Sequence, residues 1–402
     1  MRALFARKDL RLLFGGQTVS MFGDWMMIIV LGIWAKTLTG SSSQAGLVFL
    51  VFGVTGLVAP FGGLVVDRLP KRPLMIATQL ALAGVMCLLL FVHDRGDMWI
   101  IYSVTLLYGL GGDLFAASRG AMLKAMVDDE LLAEANGAYQ SIREGLRLIA
   151  PLAGAGIFAA WGGSVVAMVD AATFVVSAAA LAALTFVEPA RAVKEHHFIK
   201  EISAGLTHIA RTRVLRELTI GLATALLVAG FSETLIFAVT SDALHRSPSF
   251  VGVLGTAQGV GAIAGGVTSA WLMRRVGDVR LAGIGVALFG IGDLFWMVPS
   301  VPIVLASTAV AGVGIVWAVV SLSTAYQRRS PNEVQGRVAA AANMLFSLPQ
   351  TIGIAVGAAL ITVVDFRVEI VTMTVVFLAS GAYLLTRRPE ETTAEVEPAL
   401  AA

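Results

Sequence analysis

Long apolar runs alternate with short polar, mostly basic segments along almost the whole chain of 402 residues. A helix that crosses the hydrocarbon core of a bilayer needs roughly 20 predominantly apolar residues. Cutting the sequence at charge clusters and Gly/Pro breaks gives a series of runs near that length. They are Leu13–Trp34, Gln44–Val66, Leu74–Val92, Met98–Met122, Ala135–Trp161, Val165–Val187, Leu218–Thr240, Phe250–Met273, Leu281–Val298, Val301–Tyr326, Val338–Val363 and Val368–Thr386. The pattern predicts an all-α membrane protein with twelve transmembrane helices.

Composition supports lipid as the main solvent of this chain. Hydrophobic residues make up 57% of the sequence and charged residues only 14%, whereas soluble domains usually carry about a quarter charged residues. Cys87 is the only cysteine, which excludes an intramolecular disulfide and a cysteine-based metal cluster. Because the five histidines form no ligand pattern either, we expect no cofactor and no bound metal.

Lysine and arginine are distributed unevenly between the two sides of the predicted membrane. With the N-terminus inside, the inner loops and termini hold 23 of the 29 basic residues and the outer loops hold 4. The positive-inside rule therefore predicts a multi-pass protein of the plasma or inner membrane with both termini in the cytoplasm. The N-terminal segment is basic but lacks the apolar core and cleavage site of a signal peptide, so it is interpreted as a cytoplasmic lead-in.

The twelve spans divide into two groups of six that share internal similarity. The strings Gly109–Ser118 and Gly312–Ser321 resemble each other in the fourth and tenth spans, and FGD around Asp24 matches FSE around Glu233. Chance similarity between Gly/Ala-rich helices is the alternative for any one segment. The repeat predicts two pseudo-twofold six-helix bundles with a site between them. The predicted units are 1–187 (first bundle), 188–217 (cytoplasmic central loop), 218–388 (second bundle) and 389–402 (disordered cytoplasmic tail).

Three acids lie well inside the predicted spans. A charge in hydrocarbon costs about 2.5–3.5 kcal/mol on insertion scales, so each needs a reason. Asp24 lies near the middle of the first span, Asp113 near the middle of the fourth and Glu233 somewhat beyond the middle of the seventh. Because burial disfavours the charged form of a carboxyl, such groups can bind a proton and release it when a cavity hydrates. They are candidates for proton coupling; the alternative is a static hydrogen bond between helices.

The fifth span carries a group of charges in its inner half. Arg143 and Arg147 share one helix face at i,i+4, and Glu144 lies between them. Either arginine could pair with Glu144 or with Asp113 on the antiparallel fourth span. The group is either purely structural or exchanges its carboxylate partner with the proton state.

Further acids and aromatic residues occupy less decisive positions. Asp170 and Asp293 fall near the outer ends of the sixth and ninth spans, where interfacial solvation is expected. Aromatic surfaces can accept varied apolar cations, although packing is their more common role. The aromatic candidates for a substrate cavity are Trp25, Phe115, Phe231 and Trp317.

The central loop combines basic, acidic and apolar residues. Its apolar positions Phe198, Ile202, Leu206 and Ile209 have the spacing of an amphipathic helix. We expect that helix to lie on the inner membrane face. Because acids interrupt the basic residues, no nucleic-acid partner is expected.

The loop between the second and third spans reads GGLVVDRLPKRPLM. It resembles the signature loop of the major facilitator superfamily, with Pro70 in place of the usual second glycine. The resemblance implies a gating loop, and an ordinary positive-inside loop is the alternative. The matching residues are Gly63, Asp67, Arg68, Lys71 and Arg72. In the second half the equivalent string LMRRVGDVR places Arg274 near the acid position, which predicts that an acid-dependent latch belongs mainly to the first half.

Within the superfamily the chain resembles the bacterial drug:proton antiporter branch that exports macrolides, other drugs and siderophores. The resemblance rests on SMFGDWM, LTGSS and the DRLPKR loop, and on EANGAYQSIREGLRLIAPLAG leading into the fifth span. The last string carries Pro151 and Gly154 of an antiporter-like motif, with Ala155 where the second glycine of the Gly-Gly pair would stand. The cavity arginine of the family would fall near Thr105 and is absent.

Together these features predict a secondary transporter that exports amphipathic small molecules or drugs in exchange for protons by alternating access. We expect it to work as a monomer in the lipid bilayer. No phosphate-binding Gly-Lys-Ser/Thr loop is present, so ATP drive is not expected. The alternatives are a proton-coupled importer or exporter of a specific metabolite and, from other classes, a channel or a membrane enzyme.

Overall fold

The structure is a computed structural model of the chain, and it describes residues 7–127, 129–186, 198–331 and 335–387. Regular structure within these residues is helical throughout. The predicted tail 389–402 and part of the central loop lie outside the described residues. The α-helices are α1 Lys8–Thr39, α2 Ser42–Arg68, α3 Lys71–Cys87, α4 Met98–Met126, α5 Asp129–Trp161, α6 Gly163–Ala182, α7 Phe198–Arg211, α8 Arg213–Ala229, α9 Ser232–Ala238, α10 Val251–Val276, α11 Asp278–Leu294, α12 Val301–Arg329, α13 Gln335–Leu360 and α14 Phe366–Leu385.

Hydropathy and length qualify most of these helices as membrane spans. Within the described ranges, ten helical segments are long and apolar enough to cross a bilayer, and α2 adds the shorter apolar stretch Ser42–Val58. Helix α5 falls outside this set, and its inner half carries the charged residues Arg143, Glu144 and Arg147. The all-helical membrane fold is therefore confirmed, whereas the count of twelve spans stays a prediction.

The two halves repeat one packing pattern. In the first half α1 packs against α5 and α6, α3 against α4 and α6, and α2 against α4. In the second half the corresponding pairs are α8 with α13 and α14, α11 with α12 and α14, and α10 with α12. The predicted repeat thus appears as the same set of helix neighbours in each bundle.

Two equivalent contacts join the halves. Helix α2 packs against α13, and α5 packs against α10. A small apolar cluster of residues from both halves lies between them and includes Ile33, Phe49, Phe237 and Ile354. At the end where α1 finishes, which we name the far end, the Ser43 hydroxyl donates to the Ala358 carbonyl oxygen at 2.5 Å. The opposite end, where α1 begins and most basic loops lie, is named the basic end.

The linker helix α7 packs against the second bundle. Ile209 is buried in a cluster with Leu215, Tyr326 and Val338. Gly205 lets the backbone of α7 approach α13 closely, since a Cβ there would lie 2.2 Å from the carbonyl oxygen of Arg337. The amphipathic spacing predicted a helix, and Leu206 and Ile209 face the second bundle. Its position on the inner membrane face stays a prediction.

Glycine sets the distance between α8 and α13. A Cβ on Gly353 would lie 1.7 Å from the carbonyl oxygen of Leu227, and one on Gly230 would lie 2.5 Å from that of Gln350. The backbones of α8 and α13 can approach this closely because Gly353 and Gly230 have no side chains. Small residues at such contacts are a common feature of associated membrane helices.

We expect Gly353→Ala to lower the melting temperature of the purified protein by an amount equivalent to about 2 kcal/mol, because the added methyl group must push α8 and α13 apart. The matched control is Gly84→Ala on α3, where a Cβ would meet nothing within 4 Å. Thermal unfolding in detergent, followed by tryptophan fluorescence, measures both variants. Equal melting temperatures for the two variants would contradict the packing described for α13.

Candidate functional site

Asp24 lies in the middle of α1 and faces α4. The hydroxyl of Tyr108 donates a hydrogen bond to Asp24 Oδ1 at 2.9 Å. The Tyr108 ring packs between Phe52 of α2 and Phe174 of α6, with ring centroids 6.1 and 6.2 Å away. A phenol can donate to a carboxylate and also to the carbonyl oxygen of a neutral acid. The interhelical bond therefore exists and is compatible with Asp24 either charged or protonated.

Asp170 on α6 is a second carboxyl beside Asp24. It is fully buried, and a Cβ on Gly23 would lie 2.1 Å from its Oδ1. The Thr173 hydroxyl lies 3.2 Å from the same oxygen, and Asp170 interacts electrostatically with Asp24. The expectation that Asp170 is solvated at the membrane interface is therefore wrong. Its carboxyl enters the α1–α6 contact because Gly23 has no side chain to occupy that space.

Asp293 was expected at the interface as well, and that expectation is also wrong. Its side chain is fully buried at the end of α11. It lies beside Ser232, whose hydroxyl contacts Met373 Sδ at 3.3 Å. A Cβ on Gly292 would lie 2.7 Å from the carbonyl oxygen of Ser307, so tight packing on α12 draws this end of α11 into the bundle.

Glu369 is a buried acid that the sequence reasoning missed. It lies in the first turn of α14 and is 1% exposed. Both of its carboxyl oxygens are buried, and neither has a hydrogen-bond partner within the described ranges. An acid inside the last predicted span was the signal that could have identified it.

Glu233 follows a break in the seventh membrane segment. Helix α8 ends at Ala229 and α9 begins at Ser232, with Gly230 pressed against the backbone of α13. Glu233 interacts electrostatically with Arg147 of the other half. Interrupted helices with ionisable side chains near the break are typical of transporter binding sites.

Arg147 connects α5 to α1 and to the second half. Its guanidinium lies 3.6 Å from Glu144 and 5.7 Å from the ring centroid of Trp25. The two members of the ion pair are about half exposed, at 51% and 48%. Exposed pairs of this kind contribute little to stability, roughly 0–1 kcal/mol. The energetic penalty for Arg147 to leave Glu144 is correspondingly small.

Two other predicted network members lie apart from Arg147. Asp113 lies beside Thr55 of α2, and no contact with either arginine of α5 is found among the described residues. Arg143 interacts electrostatically with Arg119, whose guanidinium stacks 3.6 Å from the Tyr139 ring centroid. Of the pairings considered for the network, the structure contains that of Arg147 with Glu144.

Two basic residues of the predicted gating loop cap the C-terminal ends of helices. Lys71 is 2% exposed and donates from Nζ to the carbonyl oxygens of Val66 and Leu69, the latter at 2.6 Å. Arg72 donates to the carbonyl oxygens of Leu181 and Ala182 at 3.0 and 2.6 Å. Cations at helix C-termini satisfy unpaired carbonyls and the helix dipole. The other predicted members Gly63, Asp67 and Arg68 lie on α2, and the surroundings of these three residues are not among those that the structure describes.

The equivalent loop of the second half contains an acid-dependent contact that the sequence did not predict. Asp278 follows Gly277 directly and begins α11. Arg329 at the end of α12 donates to both carboxylate oxygens of Asp278, at 2.6 and 3.4 Å. The second half therefore also contains an acid–arginine contact, and the assignment of the latch mainly to the first half stays a prediction. The acid lies four residues beyond Arg274, after a glycine with φ +84° that turns the chain into α11.

The antiporter-like motif on α5 lies between α1 and α10. A Cβ on Gly154 would lie 2.9 Å from the carbonyl oxygen of Met26. A Cβ on Gly252 would lie 2.6 Å from Ala155 Cβ and 3.2 Å from the Pro151 carbonyl oxygen. The close approach that a second glycine on α5 would permit is thus provided by Gly252 of α10. Helix α5 holds both halves at this point, while the coupling role of the motif stays a prediction.

Of the four aromatic candidates, Trp25 is the one in contact with the charged groups. Phe231 is 6% exposed and packs against Gly357 of α13. Trp317 donates from Nε1 to Thr268 at 3.0 Å within the second half. Phe115 packs against the apolar cluster at the basic end. A shared cavity for all four residues stays a prediction.

These observations define a class: a polytopic membrane transporter with two similar helical bundles and buried acids between its helices. The sequence model of the Major Facilitator Superfamily matches residues 13–241 and 222–401. The chain belongs to this superfamily.

Relatives and solved structures agree with that assignment. Macrolide efflux protein A of Streptococcus pyogenes is 21% identical over 361 residues, covering 86% of this chain and 87% of that protein. The uncharacterized MFS-type transporter YfiS of Bacillus subtilis (strain 168) is 25% identical over 228 residues, 55% of this chain and about half (53%) of YfiS. One similar structure is a bacterial homologue of the iron transporter ferroportin in its inward-facing state, with a TM-score of 0.72 and 17% identity over 94% of this chain and 98% of that one. Another is an auto-inhibited POT family peptide transporter, with a TM-score of 0.70 and 11% identity over 97% of this chain and 99% of that one. These relatives are transporters, in keeping with the superfamily to which the chain belongs.

The Asp278–Arg329 pair offers a direct test of the latch in the second half. We expect Asp278→Asn and Arg329→Gln each to destabilise the purified protein by about 2 kcal/mol, because each leaves a partly buried charge unpaired. The double variant is expected to cost no more than one single change, since both charges are then removed. Thermal unfolding of all four proteins gives the coupling energy. Strictly additive effects would show that the two side chains do not interact.

Proposed function

We propose that this transporter exports amphipathic small molecules in exchange for protons. The observation that carries the proposal is the placement of one acid on the first membrane segment of each half, Asp24 and Glu233. A buried carboxyl that loses or gains a proton changes the charge that its helix presents to the other half. Proton binding can therefore favour one arrangement of the halves over the other, which coupling requires.

Arg147 is the second element of the proposed mechanism. It interacts with Glu144 of its own helix and with Glu233 across the interface. Protonation of Glu233 would remove one of the two carboxylates that attract this guanidinium. Since the pair with Glu144 is half exposed and weak, the balance between the two partners can follow the proton state of Glu233.

The proposed substrate class rests on chemistry and on one relative. Trp25 offers an aromatic face beside Asp24 and Arg147, so an apolar body and a polar group could be bound together. The name of the streptococcal relative states macrolide efflux. We extend only the class, amphipathic small molecules, to this chain.

The proposed orientation places the basic end in the cytoplasm. Lys71 and Arg72 of the first half lie at that end, as does Arg329 of the second half, and the sequence places most other basic residues there. Membrane proteins keep such residues on the cytoplasmic side. We propose the plasma or inner membrane as the location, both termini inside, and a monomer as the working unit.

Proton release on substrate binding tests the proposal. Ethidium and erythromycin are added in turn to the purified protein in weakly buffered detergent solution, and a pH indicator reports released protons. We expect the wild type to release protons, and Asp24→Asn and Glu233→Gln each to reduce that release at least about twofold, because one proton-binding carboxyl is removed.

The matched control is Asp365→Asn. Asp365 is exposed at the start of α14, where its side chain accepts a hydrogen bond from the Arg367 amide, and asparagine can accept the same bond. Its proton release is expected to equal that of the wild type. Unchanged release in both Asp24→Asn and Glu233→Gln would overturn the proposed coupling. In proteoliposomes with an imposed pH gradient, accumulation of the dye rather than its extrusion would favour an importer, and ion current far above carrier rates would favour a channel.

A further inference from the structure

A line of buried polar side chains runs between α1, α3 and α6, separate from Arg147 and Glu233. We name it the polar seam. Gln79 of α3 donates from Nε2 to the Ser177 hydroxyl at 2.8 Å and to the Ser20 hydroxyl at 3.3 Å. All of its members are less than 9% exposed. From the basic end toward the membrane centre they are Gln17, Ser20, Gln79, Ser177, Thr173 and Asp170.

Helix register orders the seam along the membrane normal. Helices α1 and α6 are antiparallel, so Gly16 meets Ala180, Gly23 meets Asp170 and Thr173, and Gly163 meets Trp34. Gln17 therefore lies toward the basic end, and Asp170 lies near the middle of α1. The seam ends at the carboxyl pair Asp24 and Asp170.

Three polar atoms of the seam lack a hydrogen-bond partner among the described residues. They are Gln17 Nε2, Gln79 Oε1 and Asp170 Oδ2. A buried polar atom left unpaired costs about 1–3 kcal/mol. Native proteins meet this cost by holding water at such atoms where two or more polar groups converge. The three unpaired atoms of the seam are therefore positions at which water can be held.

The two carboxyls of the pair differ in the hydrogen bonds that they accept from their neighbours. Tyr108 donates to Asp24, whereas the single hydroxyl proton of Thr173 is nearer the Asp170 backbone oxygen (2.7 Å) than its carboxyl (3.2 Å). Two interacting carboxylates in a buried site cannot both ionise without a large penalty, which favours one proton on the pair. Tyr108 of α4 faces both carboxyls and Thr173 of α6 faces Asp170, while the guanidinium of Arg147, on α5, lies over the Trp25 ring.

We propose that Asp24 and Asp170 bind one proton between them, and that the polar seam exchanges this proton with the basic end. This inference rests on the proposed proton coupling and assigns it a second carboxyl and a path. In the exchange step the carboxyl O–H bond breaks and the proton passes to a water held in the seam. The Ser177 and Ser20 hydroxyls accept and donate in turn, and Gln79 holds both of them in position.

Infrared difference spectroscopy tests the shared proton without any substrate. Purified protein in lipid nanodiscs is stepped between two pH values, and the carbonyl stretch of protonated carboxylic acids is recorded. We expect the carboxyl signal of the pair to move in frequency and titration midpoint in both Asp24→Asn and Asp170→Asn, because the remaining carboxyl loses its acidic neighbour, and to disappear only in the double variant. Two separate signals, each removed by one single variant while the other keeps its frequency and midpoint, would overturn the shared proton.

Thr173→Val tests the pair in case the Asp170→Asn variant does not fold. Valine has nearly the shape of threonine and removes only the hydroxyl beside the pair. We expect the shared carboxyl signal to remain in this variant and its titration midpoint to move. An unchanged midpoint would contradict the contact of Thr173 with the pair.

Gln79→Leu tests the path, because leucine cannot hold the two serine hydroxyls. We expect the rate of the infrared signal after a pH jump to fall at least about tenfold, a barrier increase of about 1.4 kcal/mol, with the final amplitude unchanged. The matched control is Thr78→Val, since buried Thr78 on the same helix bonds only its own backbone, at Leu74. Equal rates in both variants would exclude the seam as the route.

The proton coupling and the shared proton can be rejected separately. A shared carboxyl signal combined with unchanged proton release in Asp24→Asn and Glu233→Gln would retain the pair and remove the coupling. Reduced proton release combined with two independent carboxyl signals would retain the coupling and remove the pair.

Discussion

Polar side chains inside this bundle gain hydrogen bonds from neighbouring helices, because hydrocarbon offers none. The Tyr108–Asp24 bond joins α4 to α1, and a hydrogen bond of 2.5 Å between the Thr219 and Tyr326 hydroxyls joins α8 to α12. Such bonds require helices in close contact, and glycine permits that contact at Gly23, Gly154 and Gly353. Helix spacing and the position of buried polar groups are therefore one constraint in this fold.

Hydropathy alone predicts the helices because the bilayer imposes one length and one polarity on each span. The repeat was also visible, since Asp24 and Glu233 stand in similar strings on corresponding segments. Lateral packing was not visible. Asp170 and Asp293 lie near the ends of their predicted spans, and only the partner helix decides whether such a position faces water or another helix. Here Gly23 and Gly292 let the partner approach, so both acids are buried.

The sequence pattern of the first gating loop does not locate the acid of the second. In the second half the acid is Asp278, displaced beyond the position that the first-half pattern suggests, and a glycine with positive φ turns the chain there. The basic residues of the first loop contribute through helix capping, which depends on where α2 and α6 end in space. Lys71 caps the helix that precedes it, but Arg72 caps α6, which lies 109 residues further along the chain. No local pattern could identify that partner.

The two halves share helix neighbours but differ in chemistry at the contact between their first and last spans. In the first half Gly23 meets Asp170, and in the second half Ser232 meets Met373. A soft sulfur stands there in place of a carboxyl of the last span, and the acid beside Ser232 is Asp293 of α11. Glu233 instead depends on Arg147, which belongs to the other half. Under the proposed function the first half would thus supply both the paired carboxyls and the only described cation that acts on Glu233. Motion of the second half relative to α5 would then change the charge environment of Glu233 and leave the Asp24–Asp170 pair intact.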